Sequence, residues 1–147
     1  LSGGVYPVSA VLSNKEVLSV FQPGDHGSTF GGNPLACAVA REALKVIKDE
    51  NLVENSMLMG EYLMNGINLI PSPYVKEVRG KGLLIGVELK ESVGGARRFC
   101  EALQTNGLLC KETHQHIIRF APPLIITKEQ IDWALEQIEK VLTGPLP

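Results

Sequence analysis

Residues Pro71–Leu89 read PSPYVKEVRGKGLLIGVEL, and the hydrophobic period changes inside them. Upstream, Leu35, Ala36, Val39, Ala40, Ala43, Leu44 and Ile47, then Val53, Met57, Met64 and Ile67, recur at the spacing of one helical face. Pro71-Ser72-Pro73 ends that run, because proline lacks a backbone donor and keeps the preceding residue out of the helical region. Beyond it, Val75–Val78 and Leu83–Leu89 read as strands joined through Arg79-Gly80-Lys81-Gly82, a tight turn rather than a phosphate cradle. A helix opening at Gly94-Gly95 carries Phe99 and Leu103 on one face and closes at Asn106-Gly107, a left-handed cap. Leu108–Lys111 and Ile117–Ala121 are two further strands, stopped by Pro122-Pro123. Thr127-Lys128-Glu129-Gln130 is a capping box for a last helix with Ile131, Leu135, Ile138 and Leu142 inward, ended by Gly144-Pro145.

Working back toward the start, Asn51-Leu52-Val53-Glu54 resembles the N-cap of a helix extending to about Leu69. Asn33-Pro34 opens an earlier helix to about Asp49, apolar over much of its circumference and expected to be largely buried. Before it lies a glycine-rich polar loop, Asp25–Gly32. Ser13-Asn14-Lys15-Glu16 fits a capping box for a short helix to about Phe21, and Val5–Leu12 reads as a buried strand. The chain is therefore expected to be α/β, with residues 1–69 holding a strand and helices and residues 70–147 a β-α-β-β-α unit. Met57, Met59 and Met64 read as adaptable apolar filler.

Composition narrows the function classes. Of 147 residues, 44% are apolar and 20% charged, with a net charge of −2, so no broad basic face is available for nucleic acid. No apolar run approaches the ~18 residues of a membrane-spanning helix. Three cysteines, Cys37, Cys100 and Cys110, without a CxxC spacing suggest reduced thiols in a cytoplasmic protein. A zinc site built from Cys110 with His114 or His116 lacks a visible fourth ligand. The first residues, LSGGVYPVSA, open in mid-pattern, so the chain is expected to be a portion of a longer protein.

Two places invite chemistry. Ser28-Thr29-Phe30-Gly31-Gly32-Asn33-Pro34 brings two hydroxyls and backbone N–H groups to a helix N-terminus, which suits a phosphate or a plain glycine turn. It matches neither GxxxxGK[ST] nor GxGxxG. Arg119 interrupts the apolar strand IIRFA (Ile117–Ala121). It either faces solvent on a half-exposed strand or forks onto a carboxylate. His26 has no acid, base or nucleophile beside it in sequence, and Glu136 and Glu139 fit a solvated helix face.

HGSTFGGNPLACAVA (His26–Ala40) and IIRFAPPL (Ile117–Leu124) closely resemble two segments of the class III pyridoxal-phosphate aminotransferases. LSGGVYPVSAV, RGKGLLIGVEL and NGLLCKETH are similar to that family in the same order, so the resemblance covers essentially the whole chain. It implies the C-terminal part of a fold-type I transferase. Residues 1–69 would be the end of the large cofactor-binding domain, and residues 70–147 the small C-terminal α+β domain. Pyridoxal 5'-phosphate would be the cofactor, and an amino acid and a 2-oxo acid the substrates, with no nucleic acid or membrane partner. Ser28 and Thr29 would hold the cofactor phosphate of the neighbouring subunit in a homodimer, and Arg119 the α-carboxylate of the substrate. The Schiff-base lysine of the family precedes LSGG, and none of the chain's lysines takes its place, so no catalytic residue is assigned here and these residues alone should be inactive. A non-catalytic α/β ligand- or partner-binding module is the contrasting reading; it requires the Leu35–Ile47 helix to leave no large apolar face uncovered.

Overall fold

The change of period at Pro71 is realised as a change from helices to a sheet in the computed structural model, which describes residues 1–147. The contacts divide the chain into two units, Leu1–Glu50 and Asn51–Pro147. No helix of the chain is long and apolar enough to cross a membrane.

In the second unit, α3 (Leu52–Leu69) leads into an antiparallel sheet built from β1 (Val75–Lys81), β2 (Leu84–Leu89), β3 (Lys111–Thr113) and β4 (Ile117–Phe120), in the order β1-β2-β4-β3. A 3-10 turn at Glu91–Val93 and α4 (Arg97–Thr105) connect β2 to β3, and α5 (Lys128–Thr143) closes the chain. Alternation decides which face of the sheet is covered. Ile85, Val87 and Leu89 of β2 and Ile118 and Phe120 of β4 are buried, while the residues between them point outward. Leu63 and Ile67 of α3, Phe99 and Leu103 of α4, and Ile131, Ile138 and Leu142 of α5 complete that core. Tyr74 meets Phe99 edge-on, with ring centroids 5.4 Å apart.

The helices end as their terminal residues dictate. Thr127 accepts from the Gln130 N–H and the Gln130 side chain accepts from the Thr127 N–H, the expected capping box. Gly107, with φ of 85°, terminates α4 in the left-handed region. Asn51 differs from expectation: it sits at φ 52° and makes no side-chain cap, so it is a turning residue between helices. The β1–β2 connection is tighter than expected, since Arg79, Gly80 and Lys81 all belong to β1 and the turn rests on Gly82 at φ 54°. β3 begins at Lys111 rather than Leu108, because Leu108 and Leu109 are still leaving α4 when the chain reaches the sheet edge.

The contact boundary at Glu50/Asn51 also lies ahead of the proline boundary at residues 69/70. Pro71 marks a change of secondary structure, whereas α3 is tied to the sheet unit throughout its length. Asn55 Nδ2 donates to the carbonyls of Leu124 and Ile126, the Leu83 N–H donates to Ser56 Oγ, and Tyr62 donates to Asp132 on α5. Small residues permit the approach: a Cβ on Gly60 would lie 2.1 Å from the Gly82 carbonyl oxygen, and one on Gly66 2.4 Å from Leu135 Cδ1.

The first unit has two helices, α1 (Lys15–Leu18) and α2 (Pro34–Asp49). α1 is a single turn shorter than expected, and its cap is Asn14, whose side chain accepts from the Val17 N–H, rather than Ser13. Val5–Leu12 forms no strand: no partner strand lies beside it, and Val11 and Leu12 are exposed. α2 has the expected span, with Asn33 as cap and Pro34 in the first turn. It is not buried as expected: Ala36 is buried, Val39, Ala40, Ala43 and Ile47 are half-buried, and Leu35 and Leu44 are 59% and 53% exposed.

Gly60→Ala should destabilise the second unit by about 3 kcal/mol, as backbone meets backbone there and no side chain can yield. Gly27→Ala, in open space, should stay within about 0.5 kcal/mol. Urea unfolding of both variants measures the contrast.

Candidate functional site

The loop before α2 is held by its own side chains. Ser28 Oγ accepts from the Gly31 N–H at 2.9 Å, and Asn33 Nδ2 donates to the Phe30 carbonyl at 2.8 Å. Asn33 Oδ1 accepts from the Ala36 N–H at 2.9 Å. The helix N-terminus is therefore partly closed by its own cap, a feature that spacing alone does not show. What remains free is the loop itself. The Ser28 hydroxyl, having accepted from Gly31, still has a proton to donate, and the Thr29 hydroxyl and the N–H groups of Thr29, Phe30 and Gly32 have no partner within the chain. All of these residues are exposed. A Cβ on Gly31 would lie 3.1 Å from Ser28 Oγ, so the glycine keeps the turn tight against the serine. Donors without a carboxylate among them fit a phosphate. No lysine or arginine lies between Lys15 and Arg41, so the segment contributes chiefly hydrogen bonds.

Arg119 lies on the uncovered face of the sheet, between the buried Ile118 and Phe120. The solvent-facing orientation and the free fork thus hold together: exposure is what leaves the guanidinium available. Strand register places Arg79, Gly86, Arg119 and Lys111 in one row across the sheet. Gly86 gives Arg119 an open flank, and a Cβ there would meet Ile117 Cγ2 at 3.3 Å. Arg79 is occupied, donating to Glu88 and Glu77, and Lys76 donates to Glu88 at 2.7 Å. Hydrogen bonds from Lys76 and then Arg79 hold the Glu88 carboxyl below its ordinary range. Arg119 and Lys111 take part in none of the chain's ion pairs. Two like charges facing each other across neighbouring strands repel, so this end of the row is receptive to an anion. Lys111 was not singled out in the sequence; the signal is its register with Arg119, which requires the β3–β4 pairing.

The His26 ring lies 6.1 Å from the Phe21 ring, centroid to centroid, and His26 is exposed. No three His, Cys, Asp or Glu side chains gather as metal ligands, and Cys110, His114 and His116 do not form such a group.

The class-III aminotransferase family model matches residues 1–142, and the chain belongs to that family. The family uses pyridoxal 5'-phosphate. Among individual proteins, the chain is 58% identical over 142 residues to the ornithine aminotransferase of Bacillus subtilis (strain 168), covering 97% of this chain and 35% of that protein. A solved structure of Plasmodium falciparum ornithine delta-aminotransferase superposes with a TM-score of 0.90 at 45% identity, covering 96% of this chain and 37% of that one. The acetylornithine aminotransferase of Elizabethkingia anophelis gives a TM-score of 0.88 at 48% identity, covering 96% and 36%. The chain thus spans about a third of the length of the relatives it matches.

Glu88→Gln should change the acid limb of stability. A carboxyl whose folded pKa is lowered contributes above its ordinary value of 4.5, and that contribution is lost as pH falls through the lowered folded value. The variant should therefore be less stable than the parent at neutral pH and lose less on acidification below pH 4.5, as read from urea midpoints across that range.

Proposed function

We propose that these residues are the C-terminal portion of an ornithine δ-aminotransferase. The reaction moves the δ-amino group of ornithine to 2-oxoglutarate, giving glutamate semialdehyde and glutamate. The single observation that carries the reading is the unpaired Arg119 fork beside Gly86, in a chain so similar to ornithine aminotransferases along its whole length. In this reading residues 1–69 belong to the large domain and residues 70–147 to the small one.

Pyridoxal 5'-phosphate, when bound, supplies the electron sink for charge developing at the substrate carbon. The chain's own residues bind and orient. Ser28 and Thr29 donate hydroxyl hydrogens to the phosphate held by the neighbouring subunit of a homodimer. Arg119 grips the carboxylate of the amino or oxo acid through two parallel N–H···O bonds, fixing which end of the substrate reaches the chemistry. The reactive amine is not among the chain's lysines, so these residues on their own do not turn over substrate.

The exposed Leu35 and Leu44, on the two margins of the apolar stripe of α2, support this reading over a self-contained binding module. The likeness to an acetylornithine aminotransferase favours one alternative, the same chemistry on acetylornithine. Comparing turnover of ornithine and acetylornithine by the full-length enzyme separates the two.

In the full-length enzyme, Arg119→Ala should lower kcat/KM for 2-oxoglutarate by about a hundredfold, the loss of one charge-assisted pair worth ~3 kcal/mol. Arg119→Lys should recover only part, because an ammonium cannot form the two-pronged contact. An unchanged kcat/KM in Arg119→Ala would remove the carboxylate role.

A further inference from the structure

Lys111 has no part in the function proposed for Arg119, yet the sheet sets the two side by side. They are partners in the β3–β4 register, and opposite residues of antiparallel strands carry their Cβ atoms about 5 Å apart on the same face. Both are exposed. The next pair along, Glu112 and Ile118, points to the other face, where Ile118 is buried.

No carboxylate of the sheet is left to neutralise them. The strands carry three, Glu77, Glu88 and Glu112, and each is engaged by another cation. Glu77 and Glu88 hold Arg79, Glu88 also holds Lys76 at 2.7 Å, and Glu112 lies 3.9 Å from Arg97. Glu101, the acidic residue of α4, is bound to the same Arg97 at 2.7 Å. Lys81 is also unpaired, but it stands opposite Leu84 beside the turn, two strands away from Arg119. Two adjacent like charges therefore remain, with the bare Gly86 on the other flank of Arg119. Such a pair weakens the sheet until an anion lies over it.

We propose that Lys111 is a specificity-determining residue: with Arg119 it selects the doubly negative 2-oxo acid over the positively charged amino donor. The proposal rests on the reading of Arg119 as the carboxylate fork. That fork alone would accept a carboxylate of either substrate, since both offer the same two oxygens. Lys111 adds what separates them. At neutral pH 2-oxoglutarate has two carboxylates and no ammonium, whereas ornithine has one carboxylate and two ammonium groups. Beside two adjacent cations the oxo acid meets only attraction, and ornithine meets more repulsion than attraction. Amination of the oxo acid gives glutamate, whose new ammonium cancels one negative charge. The same pair of cations thus holds the product less tightly than the substrate.

In the full-length enzyme, kcat/KM measured for each substrate separates the two halves of the reaction. Lys111→Gln should lower kcat/KM for 2-oxoglutarate about tenfold, the effect of losing one charged contact, and leave that for ornithine unchanged or raised. Lys111→Arg should keep most of the parent's value for 2-oxoglutarate, because it keeps the charge. The gap between Lys111→Gln and the parent should narrow between about 0.05 and about 0.5 M salt, as exposed charges are screened. An equal loss on both substrates would mark a merely structural role and overturn the proposal. So would an unchanged value for 2-oxoglutarate, or Lys111→Arg behaving like Lys111→Gln. Arg119→Ala keeps the two readings apart. If it loses 2-oxoglutarate turnover while Lys111→Gln does not, the role of Lys111 alone fails; if it loses nothing, the carboxylate site itself fails.

Discussion

One-sided burial of the sheet is the constraint on which the second unit depends. α3, α4 and α5 supply enough apolar surface to cover a single face, and the strands alternate to match. Val87 and Ile118, paired in register, are completely buried, so the residues flanking them must face the other way. A shift of one residue in β4 would exchange Ile118 for Arg119 in the core, at the cost of an unpaired buried guanidinium. The position of Arg119 is therefore enforced by its apolar neighbours.

Most of this was legible locally. The Thr127–Gln130 capping box, Gly107 after α4, Pro34 opening α2 and the inward stripe of α5 are settled within a few residues of chain, and local pattern shows them. What was misread depended on partners distant in sequence. Val5–Leu12 has the residues of a strand, but a strand exists only where another chain segment meets its donors and acceptors, and here none does. α2 has the apolar stripe of a buried helix with only partial cover. The contact boundary at Glu50/Asn51 was equally hidden, because it depends on Asn55, Ser56 and Tyr62 holding α3 to distant parts of the sheet unit.

The site divides along the same line. Ser28, Thr29 and Arg119 stand out because polar groups interrupt glycine-rich or apolar surroundings. The Asn33 cap that occupies the helix end, the Glu88 carboxylate that engages Arg79 and Lys76, and the free Lys111 opposite Arg119 are visible only once strands are paired and side chains placed.

The meeting of Gly60 and Gly82, main chain on main chain, has a mechanical result. With backbone against backbone there, and Ser56 Oγ accepting from the Leu83 N–H beside it, α3 cannot slide over the hairpin as one greased surface over another. That junction fixes α3 against the turn between β1 and β2, and β2 is paired in turn with β4, the strand that carries Arg119. The rigidity of that seam is thus one link between the helix and the strand that holds the guanidinium.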